Sequence, residues 1–449
     1  MKLTTKILLG GGALALVIAV LAVAVNNSLR ARTRDEIALE NTNVEAQPAT
    51  PADLRIRAGE NQIKLAPDKP DGYNLLASAY AQKARETSDF SFNKRAEEAL
   101  EKSLAVAPEN YGALKLRAKL LLTYHRFAEA LAEAQRAQKL QPGDHDLYGA
   151  LTDAYVELGD YERAIESAQT MVDLRPDAAS YSRVSYLRSL TGDIQGAVQA
   201  MDVAVKAADP RDPEAAAWYR VHLGDELLNL GRAGAAEREY EKALVIFPDY
   251  PLALAAKGHA LVRAGKLPEA VAFYERSQNR APLPETIVAL GDLYQKLGRI
   301  DDAKRQYELV EFVEKNSAAS GTYSRQLAMF WADHDQKLDE ALQIVERERS
   351  SRADIFTCDA LAWVLFKNNR LDEAQKSIEE ALRLGTPDAK IYYHAGMIYN
   401  EIGDRAKARK FLELALATNP AFDLVQADIA RQTLQSLTGG VSQNEKRRS

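Results

Sequence analysis

Asp333, His334 and Asp335 stand side by side in the run ADHD, and oxygen and imidazole donors packed into one turn could hold a divalent ion. A polar turn between helices is the plainer reading of the same residues, and it is preferred. His222 with Asp225 and Glu226 lies within one helical turn and also reads as surface polarity rather than chemistry. Ser91 and Lys94 have the spacing of a Ser–Lys nucleophile pair, but none of the companion motifs accompanies them. Cys358 is the single cysteine, which excludes an intrachain disulfide and a cysteine metal cluster. No GxxxxGKS/T, GxSxG, HExxH or CxxC motif occurs. The expectation is a chain without catalytic residues or cofactor, with Asp333, His334 and Asp335 as weak metal candidates.

The elements that carry these residues are written as a repeat. Pro108, Pro142, Pro176 and Pro210 are each 34 residues apart; Pro248 follows after 38 and Pro282 after 34. Proline ends a helix because it lacks an N–H and restricts the residue before it. Gly159, Gly231, Gly265, Gly298 and Gly403 mark a second stop between the prolines, with Gly192 one residue out of phase. Glycine takes the left-handed helix cap without steric cost. Each unit therefore reads as helix, Gly turn, helix, Pro turn. Ala130, Ala164, Ala236, Ala270, Ala303, Ala374 and Ala408 recur near the start of the second helix. Gly224, Gly258, Gly291 and Gly396 recur midway along the first. Small residues there let two helices approach closely, with Tyr155, Tyr294 and Tyr399, and Tyr240, Tyr274 and Tyr307, as bulky fillers. One such pair cannot bury its apolar face alone, whereas a stack of pairs buries a continuous core.

At these residues, clearest in LGDYERAIESAQTMVDLRP (158–176) and LGDLYQKLGRIDDAKRQYELV (290–310), the chain resembles the tetratricopeptide repeat (TPR) family. The resemblance implies an all-α, right-handed superhelical solenoid, here of about ten units between residues 70 and 420. The first unit carries an insertion, KARETSDFSFNK, and residues 311–356 lack the closing proline and hold an irregular turn at WADHDQKLDEA. The layout is similar to bacterial TPR proteins with a membrane-anchored or exported start. In such a stack the first helix of each unit lines a groove. Projection places Lys115, Lys119, Asp146, Asp153 and Glu157 there, then Asp225, His259, Glu285, Asp292 and Lys296. The last units supply Phe356, Trp363, Phe366, Tyr393, Met397 and Asn400. The groove is expected to be charged at its N-terminal part and aromatic near its C-terminal end. Aromatics and Met anchor peptide ligands; the alternative is that Trp363 and Phe366 pack between units. The Lys and Asn set with which TPR clamps hold acidic chaperone tails is missing.

Composition fits this reading. The chain is 46% hydrophobic, enough for a packed core, and its net charge of −6 is spread among interspersed acids and bases. Without a basic field, nucleic acid is not an expected partner. Residues 1–6 form a short basic head, and residues 7–25 are uncharged. Nineteen helical residues span roughly 28 Å, about the hydrocarbon thickness of a bilayer. A membrane anchor is preferred; a signal peptide cleaved near Ala22-Val23-Ala24 is the alternative. Lys2 and Lys6 oppose Arg30, Arg32 and Arg34 across the span, and the short basic head favours a body outside the cytoplasm. Residues 26–50 read as a linker, 51–437 as the solenoid with its capping helices, and 438–449 as a disordered polar tail. The functional expectation is a protein-binding scaffold tethered to a bacterial envelope membrane. The rivals are a metal-dependent role at the Asp333 turn and a self-assembling, homo-oligomeric module.

Overall fold

The computed structural model describes residues 50–87, 89–318 and 325–445. The expectations for residues 1–49, including the membrane or signal segment, lie outside the described residues. Among the described residues no helix is long and apolar enough to cross a membrane. The chain divides into two compact units, Met1–Leu54 and Arg55–Ser449.

Every regular element among the described residues is a helix. Helix α1 (Pro51–Leu65) leads in, and ten helix pairs follow. They are α2 (Pro70–Thr87) with α3 (Ser91–Val106), α4 (Tyr111–Thr123) with α5 (Phe127–Leu140), and α6 (His145–Glu157) with α7 (Tyr161–Leu174). Next come α8 (Ala178–Leu190) with α9 (Ile194–Ala207), α10 (Pro213–Asn229) with α11 (Ala233–Ile246), and α12 (Pro251–Arg263) with α13 (Leu267–Arg280). The last four are α14 (Pro284–Lys296) with α15 (Ile300–Ala318), α16 (Arg325–Asp333) with α17 (Leu338–Ser351), α18 (Ile355–Lys367) with α19 (Leu371–Ala381), and α20 (Ala389–Ile402) with α21 (Arg405–Thr418). Helix α22 (Gln426–Glu445) closes the stack. It continues past residue 437 into the stretch expected to be a disordered tail, and the Gly439-Gly440 pair does not end it.

Local chemistry sets these boundaries. Asp144, Asp177, Asp212, Asp354 and Asp388 cap first helices by accepting from backbone N–H groups of the first turn. Asp160, Asp193 and Asp404 do the same for second helices. From the second pair onward, the turn within the pair takes a left-handed residue. Glycine supplies it at 159, 192, 231, 265, 298 and 403; His125, Asp335 and Asn369 supply it where glycine is missing. The irregular ADHD stretch adds a second left-handed residue, Lys337.

The small residues sit where the repeat requires them. The repeated alanines 130, 164, 236, 270, 303, 374 and 408 are all buried, at 0–2% exposure. A Cβ placed on Gly224 would come within 2.3 Å of the Tyr240 ring, on Gly258 within 2.7 Å of Tyr274, and on Gly291 within 2.5 Å of Tyr307. In the last pair Leu412 replaces the ring and lies 2.7 Å from the Cβ position of Gly396. Three of the four close approaches are thus a ring, and the fourth a leucine, laid across a bare helix backbone.

The stack also makes contact with itself far along the chain. The Ala353 N–H donates to the Glu157 carbonyl at 2.8 Å, and the Ile355 N–H to the Tyr161 hydroxyl at 2.9 Å. Arg352, 8% exposed, pairs with Glu157, and its guanidinium lies over the Phe127 ring. Arg383 donates to the Ala353 carbonyl at 2.8 Å and covers the Tyr161 ring. Thr386 donates to the Leu190 carbonyl. Buried side chains from residues 114–190 and 287–437 consequently form one core cluster, while α10 and α11 centre a separate one.

Candidate functional site

First helices of neighbouring pairs touch along most of the stack, so their outward positions form a wall. At the N-terminal part this wall is neutralised by its own charges. Lys115 pairs with Asp144 at 2.8 Å and Lys119 with Asp146 at 2.6 Å. Arg183 holds both oxygens of Asp153, at 2.8 and 2.6 Å. These residues bridge successive first helices and are spoken for.

The aromatic end differs from expectation. Trp363 and Tyr393 are each only 2% exposed. Trp363 stacks between Phe366 and His394, with centroids at 5.1 and 4.2 Å, and its Nε1–H donates to Asp333 at 2.8 Å. Tyr393 packs on Phe422. Phe356, Phe366 and Met397 are half-buried against the same core, and Asn400 is half-buried at the end of α20. The groove-anchor expectation for Trp363 and Tyr393 is corrected: neighbouring units and the segment before α22 cover them. The weak metal candidates at the ADHD turn each have other partners. Asp333 accepts from Trp363 and Gln426, His334 faces Asp292 and the Phe330 carbonyl, and Asp335 pairs with Lys367. The three side chains diverge, and among the described residues no group of three or more His, Cys, Asp or Glu could hold a metal.

Between these regions the wall opens into a chamber of about 790 Å³. Helices α10, α12, α14 and α16 form one side; Lys390 and residues 419–424 close over it. Lys296 fastens that cover by donating to the Leu424 carbonyl at 3.1 Å and pairing with Asp428. Asp225, His259, Glu285 and Asp292, all placed on the groove face by sequence, line the chamber. Lys390, Asp423, Phe422 and Arg325 line it as well and were missed, because no spacing rule links residues 390–424 to a helix at 284–296.

The wall has an internal period. The Tyr240 hydroxyl donates to Asp225 at 2.9 Å, and the Tyr307 hydroxyl to Asp292 at 2.8 Å, each fifteen residues back. In the repeat between them the partners are Tyr274 and His259, whose rings meet edge to face at 5.4 Å. Protein surrounds Asp225 although its side chain is 43% accessible from the chamber, and this desolvation pushes it up to about 6 against the Tyr240 hydrogen bond. Burial likewise holds His222 and His259 down at about 4, with Lys390 assisting at His259. At His334 the burial effect is outweighed by Asp292 and the Phe330 carbonyl, and the imidazole is raised. Lys390 also resists its burial: Asp333 and Asp423, 3.9 and 3.5 Å away, hold the ammonium above its ordinary range.

A second cleft, of about 490 Å³, lies between residues 124–129 and 347–353. Its Arg126, Arg349 and Arg352 already pair with Glu129, Glu380 and Glu157. The chamber, with partly unmatched polar groups, is the better candidate site.

Sequence profiles described as Tetratricopeptide repeat match residues 82–145, 221–283 and 360–421, residues 121–189, and residues 284–310. The chain belongs to the tetratricopeptide repeat family. A relative from Homo sapiens, Protein O-mannosyl-transferase TMTC1, is 25% identical over 220 residues, covering 47% of this chain. The chain spans only 24% of the length of that relative. Among solved structures, PilW, a type IV pilus biogenesis factor, is similar over 48% of this chain and 96% of its own, at 18% identity and a TM-score of 0.39. The human IFIT1 dimer with m7Gppp-AAAA is similar over 74% of this TPR chain and 76% of its own, at 15% identity and a TM-score of 0.49. At these identities the likeness concerns the fold alone.

Proposed function

We propose that this TPR protein is a non-enzymatic interaction scaffold that takes a peptide segment of a partner protein into the chamber. The chamber carries the reading. It is built from four successive first helices, is covered at one side, and presents charged and aromatic groups on a wall that needs no ordering to receive a ligand. Its volume falls within the roughly 300–1,000 Å³ of small-ligand sites, suiting a short extended segment rather than a folded domain. Nucleic acid fits less well. Asp225, Glu285, Asp292, Asp333 and Asp423 outnumber Arg263, Arg325 and Lys390 in the lining, the wrong balance for a phosphate backbone. The test is selection of peptides from a random displayed library by the full-length chain, repeated with Ala255→Trp, which fills the chamber. Peptides selected by the wild type and lost by the variant support the reading. A wild type that selects none, or binding indifferent to the variant, ends it.

The tether belongs to the same proposal. Residues 7–25 anchor the chain, with the repeats on the extracytoplasmic side of a bacterial envelope membrane. Resistance to alkaline extraction from membranes, with protease sensitivity of the repeats in spheroplasts, is the expected result. Release by alkali, or full protection from protease, would count against it.

A further inference from the structure

Three elements distant in sequence bring one set of charges together on the chamber wall. Asp333 ends α16, Lys390 stands in the first turn of α20, and Asp423 belongs to the covering segment; all three line the chamber. One oxygen of each carboxylate is already spent. Asp333 Oδ1 accepts from Trp363 Nε1 at 2.8 Å and from Gln426 Nε2 at 2.6 Å. Asp423 Oδ1 accepts from the Val425 and Gln426 N–H groups at 2.8 and 2.9 Å. The second oxygen, Oδ2 of each, has Lys390 Nζ as its cation, at 3.9 Å from Asp333 and 3.5 Å from Asp423. A well-made N–H···O bond between charges is shorter, about 2.7–2.9 Å. The ammonium therefore stands between two acceptors without closing on either, on a side chain that is 43% accessible.

Neighbouring groups do not complete the set. Asp292, whose charge also acts on Lys390, already accepts from the Tyr307 hydroxyl and faces His334. Arg325 is committed to Asp354 and Thr357, and the His259 ring is uncharged at neutral pH. The charge pattern then sorts what could sit there. A ligand carboxylate that reached Lys390 would also meet Asp333 and Asp423. A ligand ammonium or guanidinium that reached the two oxygens would meet Lys390. A hydroxyl has one donor and leaves one oxygen unmet. A primary carboxamide carries two N–H donors and an acceptor oxygen and is neutral, the complement of two carboxylate oxygens and one ammonium. A metal ion would need three converging ligands, which are not present among the described residues.

We propose that Asp333, Lys390 and Asp423 form a recognition site for the side-chain carboxamide of an Asn or Gln in the partner peptide. The inference rests on the scaffold reading and names what that scaffold selects. The carboxamide N–H groups donate to Asp333 Oδ2 and Asp423 Oδ2, and its oxygen accepts from Lys390 Nζ. The hydrogen bonds to the two Oδ1 atoms hold both carboxylates in place before the ligand arrives.

The experiment is a cellulose-bound positional-scanning array of acetylated nonapeptides probed with the purified full-length chain. At one position Asn or Gln should be enriched over the matching acids, Asp and Glu, and over Lys, by about tenfold or more, the worth of a charged hydrogen bond. Lys390→Met removes the cation and should turn that preference toward Lys or Arg. Asp423→Asn keeps an acceptor for the Val425 and Gln426 amides and should largely erase the discrimination against Asp and Glu. A protein that merely loses packing would weaken all peptides alike. Thermal melts of both variants accompany the array, and if Lys390→Met fails to fold, Asp423→Asn decides alone. Peptide binding with no Asn or Gln preference, or a preference that both substitutions leave unchanged, overturns the proposal and leaves the scaffold standing. Failure of the wild type to bind any peptide overturns the scaffold reading itself, and this proposal with it.

Discussion

Trp363 shows how a residue's type can mislead about its role. An aromatic one turn from a helix's small packing position looks like a ligand anchor, but here Phe366, His394 and Asp333 use up both its faces and its N–H. Trp363→Ala should therefore cost about 3–5 kcal/mol, as truncation of a buried aromatic does, and lower the urea midpoint sharply. A normal midpoint with altered peptide binding would return it to the groove. Gly291 offers a second test. Alanine is better than glycine in a helix by roughly 1 kcal/mol. Its Cβ would lie 2.5 Å from a Tyr307 ring that is pinned through its hydroxyl by Asp292. Overpacking of about 1–3 kcal/mol should win, so Gly291→Ala is expected to melt lower than wild type.

At the scale of elements, the turns are alike in sequence and unlike in surroundings. Gly159 and Gly231 both adopt left-handed backbone, at φ +75° and +78°. A Cβ on Gly231 meets nothing within 4 Å, while one on Gly159 would lie 2.5 Å from the Ala353 carbonyl oxygen. Gly231→Ala should cost about 1–2 kcal/mol for the left-handed conformation alone. Gly159→Ala should cost clearly more, because it also pushes apart the α6–α7 turn and the segment before α18. Equal losses in chemical denaturation would show that this contact does not form in solution. Arg352 is the charged half of the same junction. Burial and the neighbouring Asp354 push Glu157 up to about 6, even though Arg352 pairs with it. Arg352→Ala leaves Glu157, Glu348 and Asp354 without their shared cation. The loss should be about 3–5 kcal/mol, with faster hydrogen exchange at the Ala353 and Ile355 amides. Unchanged exchange there would refute the assignment.

For the whole molecule, the chamber couples stability to pH. His222 and His259 titrate near 4 in the folded chain and near 6.5 when unfolded. At pH 7.5 neither state binds the proton, so the shift has no effect. At pH 5 the unfolded chain binds it and the folded chain does not, which favours unfolding. The double variant His222→Gln and His259→Gln should thus gain melting temperature over wild type at pH 5 and show no such gain at pH 7.5. Asp225 at about 6 and Glu226 at about 7 act oppositely. They bind protons in the folded state first, so their stabilisation is fully present below about 4 and fades as pH rises through 6 to 7. Asp225→Asn should therefore lose its stability advantage over wild type as the pH falls from 7.5 to 5. A pH-independent difference in either comparison would contradict the assignment.

The 34-residue spacing of the prolines, the glycines before the second helices and the buried alanines determine the repeat, because each is a local demand of backbone geometry or close packing. From them the ten pairs and the groove positions of Asp225, His259, Glu285 and Asp292 could be read directly. The Tyr240, Tyr274 and Tyr307 series, fifteen residues beyond its partners, was legible too, though its hydroxyl chemistry was not. Tertiary structure decided what covers what. Residues 419–424 close over α14, which makes a chamber of an open wall; Phe422 packs on Tyr393, and Phe366 and His394 enclose Trp363. Ala353 lies on Glu157, 196 positions earlier, across a run of stacked helices. Each repeat interface adds a small rotation, and only their sum brings those surfaces together; no single repeat's sequence contains it.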